Sequence, residues 1–278
     1  MRLLAVSDIH NNLVAVRKMR AHETNRFDAI VVAGDVGNAG AQAVFDILST
    51  FRCPIVHVFG NWDHEIDYAT SFGAACQLLH LNVVTIGNLH FTGFSGCPTH
   101  WGRNPFAARF DGERSEETRQ KVLRMNRSAL RTTIAQAGID PRRAVVVTHE
   151  RLTRLDEIAG DVGMHLYGHV HQFSKRMEKD TAFVNVSVLD RPVTARPRAA
   201  AEWTREQCRN YNAGNYTVLE IGPNRLDVAC VSLPHDYPDW IALEGQRFNG
   251  IEWIAEEQLW ANPSDPRLMR YRESRGRP

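Results

Sequence analysis

Short apolar runs alternate with amphipathic stretches through the first sixty residues of the chain. Residues 3–6, 29–33 and 55–59 are continuous apolar runs, which is typical of buried strands. Between them, residues 13–22 and 40–51 repeat apolar positions at helical spacing. Strands that alternate with helices in this way predict βαβ units and a mostly parallel sheet.

The pattern changes after residue 80. The segment NVVTIGNLHFTGFSG predicts two short strands joined by a Gly/Asn turn. Residues 115–137 predict a long helix, because Ser115 precedes two glutamates in its first turn. Further strands are predicted at residues 144–147, 163–167 and 183–189, with a hairpin within residues 216–233. The residues alone therefore predict an α/β protein with a strand-rich second half.

Two segments do not fit this alternation. Residues 97–114 form a long loop with aromatic residues and arginines, a length that is usually functional or disordered. Residues 235–278 follow the last predicted hairpin and carry three tryptophans. We therefore expect a main domain at residues 1–234, with the loop inserted in it. Residues 235–278 would form a Trp-rich extension that packs on this domain or on a neighbouring subunit.

Composition and charge narrow the function classes. Of 278 residues, 43% are hydrophobic and 23% are charged, and the net charge of +1 disfavours a strongly basic nucleic-acid binder. No apolar run reaches the roughly 20 residues that cross a bilayer, and the N-terminus does not resemble a signal peptide. The five cysteines are scattered and lack paired spacing, so that neither a disulfide framework nor a zinc knuckle is indicated. We expect a reduced, cytoplasmic protein with no membrane partner.

Polar clusters follow the predicted strands directly, in the segments SDIH, GDVG, GNWDH, THE and GHVH. In open α/β sheets the crevice at the carboxyl ends of the strands is where sites form. Each pair alone has an ordinary structural explanation, but five such segments would bring carboxylate, imidazole and amide groups to one edge. Mixed ligands of this kind suit divalent metals such as Mn²⁺, Fe or Zn²⁺.

The ordered motifs D-x-H, G-D-x-G, G-N-x-D, T-H and G-H-x-H resemble the calcineurin-like metallophosphoesterase superfamily over residues 1 to about 190. The resemblance implies a four-layer α/β/β/α sandwich of two mixed sheets flanked by helices. It also implies two divalent metal ions, with Mn favoured and Fe, Zn or Ni as alternatives. Phosphoester hydrolysis would then proceed by attack of a hydroxide that bridges the two ions.

The same resemblance assigns the ligands residue by residue. The first ion would be held by Asp8, His10, Asp35 and His171. Asp35 would bridge to the second ion, whose other ligands would be Asn61, His149 and His169. Small residues at Gly34 and Gly60 would allow sharp turns beside the ions.

Trp62 departs from the family pattern. The family usually has a histidine in this position, where it protonates the leaving oxygen or binds phosphate, whereas an indole does not titrate usefully. Asp63 keeps the position of the acid that orients that histidine, and His64 follows it. Three interpretations remain: His64 replaces the missing acid, the enzyme acts without it on substrates that need it less, or the site is a scaffold without activity. The third fits badly, because all seven ligand positions hold residues that can bind a metal.

We therefore expect hydrolysis of a phosphodiester, either nucleotide-like or a small organic diester. The alternatives are a phosphomonoesterase with His64 as general acid, a nuclease, and a protein-binding scaffold of the same fold. Trp62 could stack on an aromatic group of the substrate. Trp101 and Arg103, in the inserted loop, are candidates for a lid, and Arg103 could pair with a phosphate oxygen. A small phosphoester is the expected partner; nucleic acid is less favoured, and the extension could form an oligomer contact.

Overall fold

The computed structural model describes residues 1–97, 115–152, 162–171, 173–186, 188–190, 214–223, 225–233, 247–248, 251–254 and 259–261. The chain divides into two compact units. One consists of Met1–Asp190 with Asn215–Val231, and the other of Arg191–Gly214 with Ser232–Pro278. The predicted boundary at residue 234 and the packing of the Trp-rich extension stay predictions.

The helices and strands follow the alternation of the sequence. In chain order they are β1 (Arg2–Val6), α1 (Leu13–His22), β2 (Ala29–Ala33), α2 (Ala41–Ser49), β3 (Ile55–Val58), β4 (Cys76–Leu78), β5 (Val83–Ile86), β6 (Leu89–Phe94), α3 (Glu116–Ala137), β7 (Ala144–Thr148), β8 (Met164–Tyr167), β9 (Ser174–Glu178), β10 (Thr181–Asn185), β11 (Asn215–Ile221), β12 (Leu226–Ser232), β13 (Arg247–Phe248), β14 (Ile251–Ile254) and β15 (Leu259–Ala261). A short 3-10 helix at Pro141–Arg143 leads into β7.

The strands form two six-stranded sheets, with the orders β12-β11-β1-β2-β3-β4 and β5-β6-β7-β8-β10-β9. Both sheets are mixed. In the first, β1 to β4 are parallel, whereas β11 is antiparallel to β1. In the second, β6, β7, β8 and β10 are parallel, and β5 and β9 pair antiparallel at the two edges. Strands β13, β14 and β15 form a small antiparallel sheet in the second unit.

The two large sheets pack face to face around one apolar core. Leu3, Val31 and Val58 of the first sheet belong to the same buried cluster as Val147 and Leu166 of the second. Strands β1 and β2 read as continuous apolar runs because all their residues except Arg2 are buried, so both faces are covered. Helices α1 and α2 connect the parallel strands β1, β2 and β3 and pack against each other. Crossovers between parallel strands are nearly always right-handed, which puts two consecutive ones on the same face of a sheet.

A second apolar cluster covers the outer face of the second sheet. It joins Leu123, Leu130 and Ile134 of α3 to residues of β6, β7 and β10. Helix α3 begins as predicted at Ser115, whose side chain accepts a hydrogen bond from Thr118 N, and it ends at Gly138 with φ 61°. The predicted four-layer α/β/β/α sandwich is confirmed.

Five strands were not expected from the sequence: β4, β9 and the short strands β13, β14 and β15 of the second unit. Strand β4 has only three residues, too few to establish a pattern. Strand β9 (SKRME) has four exposed residues and one half-buried residue, so it carries no apolar face to recognise. It pairs with β10 through its backbone at the sheet edge, where polar side chains are tolerated. In the described part of the chain, no helix is long and apolar enough to cross a membrane.

Candidate metal centre

The turns after β1 and β2 are joined by backbone hydrogen bonds. Asp8 N donates to Gly34 O at 3.1 Å, and His10 N donates to Asp35 O at 3.0 Å. Since β1 and β2 are parallel neighbours, their carboxyl ends deliver Asp8, His10 and Asp35 to one place. The third parallel strand, β3, ends beside them and supplies the turn that carries Asn61.

The backbone of this site is strained. Among the described residues, nine that are not glycine have positive φ, and five of these nine are predicted metal ligands: Asp8, His10, Asp35, His169 and His171. The left-handed conformation costs an ordinary residue about 1–2 kcal/mol. Such strain persists where function requires a particular side-chain direction, so its concentration here marks the candidate site independently of the motifs.

Asp63 connects two of the ligand turns through hydrogen bonds to their backbone. Its carboxylate is buried and accepts from Asp35 N at 2.9 Å, Gly37 N at 2.7 Å and Gly60 N at 2.7 Å. Gly60 has to be glycine because a Cβ there would collide with the Asp35 carboxylate. Asp63 therefore holds the turns in register, which is a positioning role.

The first ligand group contains Asp8, His10 and His171, whose ligand atoms lie within 4.8 Å of one another. His171 Nε2 is 3.1 Å from Asp8 Oδ1, and His10 Nε2 is 3.3 Å from Asp35 Oδ2. Asp8 and Asp35 are almost fully buried. Three of the predicted ligands of the first ion thus converge, and the fourth, Asp35, is in contact with them.

The second ligand group contains Asn61, His149 and His169. His169 Nδ1 lies 3.1 Å from Asn61 Oδ1 and 3.3 Å from His149 Nε2. His149 Nδ1 donates to Ala33 O at 2.9 Å, which in the neutral ring leaves Nε2 unprotonated and available to a metal. Asp35 Oδ2 is 3.1 Å from His149 Nε2 as well as 3.3 Å from His10 Nε2, so Asp35 lies between the two groups.

Sequence reasoning missed Asp190, which supports the first group. It is fully buried; its Oδ2 lies 3.3 Å from His10 Nδ1, and its Oδ1 accepts from Asn12 Nδ2 at 2.6 Å. A carboxylate behind a ligating histidine fixes the ring and raises its basicity. The signal was available, because Asp190 follows the apolar run FVNVSVL as the other acids follow theirs.

Cys97 was missed as well. Its side chain is fully buried, and Sγ lies 3.3 Å from Asn61 Oδ1 and within 4.8 Å of the ligand nitrogens of His149 and His169. It follows strand β6 (LHFTGF) after two residues, Ser95 and Gly96. The scattered cysteine spacing hid this position, because paired spacing is what identifies a metal ligand in sequence.

The electrostatics of the site favour bound cations. Burial alone would raise the pKa of Asp8, but His171 and His149 lower it to about 2. Burial would lower the pKa of His10, but hydrogen bonds to Asp190 and Asp35 raise it to about 10. In the same way, Asp35 and Asp8 outweigh burial and raise the pKa of His149 to about 9. Without ions, the protons on His10 and His149 offset the negative charge of the buried carboxylates, and divalent cations would replace those protons.

The geometry of the donors fits metal ions. Neighbouring donors are 3.1–3.3 Å apart, the separation expected around one ion with bonds of about 2.0–2.2 Å. Asp8 Oδ1 is buried, and no hydrogen bond reaches it from the described part of the chain. It faces His171 Nε2 at 3.1 Å and His149 Nε2 at 3.9 Å. A buried, unsatisfied carboxylate oxygen among imidazoles is what an absent cation would leave.

The residues predicted to act as the general acid or to bind substrate are not all placed at the ligand cluster. The Trp62 ring is tilted over His10 at a centroid distance of 4.8 Å, and Trp62 is 37% exposed. The His64 side chain is 56% exposed and lies 3.7 Å from Glu65 Oε1 and 3.5 Å from Asn38 Nδ2. Trp101 and Arg103 fall outside the described residues.

The clustered donors could hold divalent metal ions, and the sequence places the chain in a family. The profile of the calcineurin-like phosphoesterase superfamily domain matches residues 1–204, and the chain belongs to that superfamily. Its members are in general metal-dependent phosphoesterases. No curated protein sequence matches the chain.

Solved structures are similar to this chain at low sequence identity. The protein TT1561 of Thermus thermophilus has a TM-score of 0.54 and 15% identity, covering 82% of this chain and 97% of its own. This similarity shows the fold alone. An archaeal phosphodiesterase gives a TM-score of 0.44 at 15% identity, covering 84% and 100%. Vacuolar Protein Sorting 29 from Cryptosporidium parvum gives 0.40 at 11% identity, covering 83% and 96%.

Proposed function

We propose that this protein is a metal-dependent phosphodiesterase that acts on a nucleotide-like or small organic diester. Asp8, His10, Asp35 and His171 would hold one divalent ion, and Asp35, Asn61, His149 and His169 the other. Bound ions supply Lewis acidity, which polarises phosphoryl oxygens and lowers the pKa of a coordinated water. Net hydrolysis joins a water oxygen to phosphorus and releases one ester oxygen as an alcohol.

The observation that carries the diester proposal is the pair Trp62 and His64. Trp62 occupies the position of the family acid, with its ring over His10, and cannot give a proton to a leaving oxygen. The half-exposed His64 ring lies 3.3 Å from the Asn61 backbone O, 3.5 Å from Asn38 Nδ2 and 3.7 Å from Glu65 Oε1, and none of these contacts among the described residues is with a predicted ligand side chain. A site without a general acid favours esters whose leaving group departs readily without being protonated, such as aryl or cyclic esters.

Trp62 would bind the organic part of the substrate. Its backbone N donates to Asp35 Oδ1 at 2.8 Å, which holds the residue at the edge of the ligand cluster while part of the ring stays exposed. A half-exposed indole at this place can stack on a base or an aryl ring. A monoester has one organic group to place on such a surface, whereas a diester has two.

Other residues of the site supply position and charge. Asp63 fixes the turns that carry Asp35 and Asn61, and Asp190 orients His10. The lowered pKa values of Asp8 and Asp35 keep both carboxylates ionised and able to bind cations.

The test compares bis(p-nitrophenyl) phosphate with p-nitrophenyl phosphate, using apo protein reconstituted with Mn²⁺. We expect a diester preference that is abolished by a chelator and by Asp35→Ala, and that changes less than about twofold in His64→Ala. Monoester turnover that is lost in His64→Ala would instead establish the monoesterase alternative. No turnover of either ester by a protein that has bound its metal would favour the scaffold.

Trp62→His gives a sharper comparison, because it restores the residue usual in the family. We expect monoester turnover to rise by about 10²-fold or more, the usual contribution of a general acid. Trp62→Phe is the matched control, since it keeps a ring and adds no acid. A Trp62→His variant with no gain in monoester turnover would show that the missing acid does not set the substrate class.

A further inference from the structure

Cys97 lies in the second ligand group at a position that no predicted ligand occupies. Its thiol is fully buried, and Sγ is within 4.8 Å of the ligand nitrogens of His149 and His169. Sγ is also 3.3 Å from Asn61 Oδ1. Four donors from four separate turns therefore surround one point.

The backbone holds Cys97 in this position. Gly96 N donates to Phe59 O at 2.8 Å, and Phe59 N donates to Ser95 Oγ at 3.0 Å. These two hydrogen bonds join the turn after β6 to the end of β3, immediately before Asn61. The same local structure therefore fixes the sulfur and the Asn61 amide. The backbone, and not only the Cys97 side chain, places the sulfur beside the cluster.

The other three donors can each offer a lone pair to a metal ion once the imidazoles are neutral. Nδ1 of His149 faces Ala33 O, so the neutral ring has its lone pair at Nε2, which lies 3.3 Å from His169 Nδ1. Asn61 Oδ1 faces both His169 Nδ1 and the thiol, at 3.1 and 3.3 Å. Together with the shared Asp35 carboxylate, 3.1 Å from His149 Nε2, these groups make five donors of mixed nitrogen, oxygen and sulfur type, and the sulfur and imidazoles suit Zn²⁺.

We infer that Cys97 binds the second metal ion as a thiolate and makes this position selective for Zn²⁺ over Mn²⁺. The inference rests on the dinuclear centre of the proposed function and adds a ligand to it. When the sulfur–metal bond forms, the thiol proton passes to solvent. Thiolates favour Zn²⁺ over Mn²⁺, whereas the carboxylate-rich first group suits Mn²⁺ as well.

Cobalt reports a thiolate ligand directly. Apo protein is titrated with Co²⁺, and thiolate-to-cobalt charge transfer is followed in the near ultraviolet while native mass spectrometry counts the bound ions. We expect the band in the wild type and in Cys53→Ser, a buried cysteine outside both ligand groups. It should be lost in Cys97→Ser. Two bound cobalt ions without the band, or a band that survives Cys97→Ser, would overturn the inference.

Competition between metals tests the selectivity. With Mn²⁺ in excess, the wild type should retain one Zn²⁺ per chain, and Cys97→Ser should lose this preference by about 10–100-fold. Equal Zn²⁺ retention by the two proteins would contradict the inference. If Cys97→Ser does not fold, X-ray absorption of the zinc-loaded wild type decides, since a sulfur ligand gives a shell at about 2.3 Å.

The outcomes separate this inference from the proposed function. Diester hydrolysis by a protein with two ions and no sulfur ligand would leave the function standing and remove Cys97 from the centre. A sulfur ligand in a protein that hydrolyses no diester with any metal would confirm Cys97 as a ligand and overturn the proposed function. A protein that binds no divalent ion would overturn both.

Discussion

The two ligand groups differ in the chemistry of their donors. The first combines the Asp8 carboxylate with His10, whose other nitrogen faces the buried carboxylate of Asp190. The second has only imidazole, amide and thiol groups of its own, and it shares the charge of Asp35. The carboxylates of Asp8 and Asp35 come from the turns after β1 and β2, and the donors of the second group from the turns after β3, β6, β7 and β8. The turn after β8 also gives His171 to the first group. Largely different strands thus supply two unlike cation sites.

Asp35→Asn should have the largest effect, because it affects both groups at once. Asp35 is within 3.3 Å of His10 and 3.1 Å of His149, and its negative charge is shared. We expect diester turnover to fall more than about 100-fold, beyond the usual effect of residues that only support ligands. Turnover and bound metal should be measured together, with Asp46→Asn as control on an exposed face of α2. Loss of only one ion would show that the groups are independent.

Asp63→Ala should destabilise both groups through their turns. It leaves the N–H groups of Asp35, Gly37 and Gly60 without their acceptor. At about 1–3 kcal/mol for each buried unsatisfied group, partly recovered by water, we expect a loss of about 3 kcal/mol in the free energy of unfolding. Urea unfolding of the apo protein measures it. Asp67→Ala, at an exposed turn residue, should stay within about 0.5 kcal/mol.

Asp190→Asn should distinguish the groups. It removes the charge behind His10 and does not touch the second group, so affinity for one ion should fall by about 10–100-fold. Isothermal titration with Mn²⁺ should then show one weakened site and one unchanged site. Equal weakening of both would mean that the two ions bind as a single unit.

Acid should destabilise both of the sheets that carry the groups, and by about the same amount. Burial lowers the pKa of His57, on β3, to about 3, and that of His165, on β8, also to about 3. Below the ordinary value of 6.5, the unfolded chain takes up a proton at each residue that the folded protein does not. Stability is therefore lost as the pH falls from about 6.5 towards 3, by about 2 kcal/mol for each residue at pH 5.

Single variants assign this loss to each sheet. Between pH 7.5 and pH 5, His57→Leu and His165→Leu should each lose about 2 kcal/mol less unfolding free energy than the wild type. His90→Leu, with no hydrogen bond beyond Thr85 among those described, is the control and should follow the wild type. If the unfolding free energy changed by the same amount in all four proteins between pH 7.5 and pH 5, the result would contradict the inference that the two interior histidines are uncharged.

Local sequence patterns predicted most of the apolar strands, the long helix and the residues that gather at the sheet edge. An apolar run followed by a polar turn carries that information within a few residues. The same pattern precedes Asp190, but its role and that of Cys97 depend on which turns meet in space. Asp190 meets His10 across 180 positions of the chain, and Cys97 reaches Asn61 across 36. The exposed direction of His64 also depends on its contacts with Asn38, which the loop sequence does not reveal.

Strand β11 lies beside β1, although more than two hundred residues separate them in the chain. Glu220 pairs with Arg2 and Val218 with Leu4. Strand β1 is therefore synthesised more than two hundred residues before the strand that it pairs with. Until then, one edge of β1 offers unpaired backbone groups to any other strand, including that of a second nascent chain. A fragment that stops at residue 204, where the family profile ends, would keep this edge open permanently. Expression of the protein should therefore include β11, and shorter fragments are expected to aggregate.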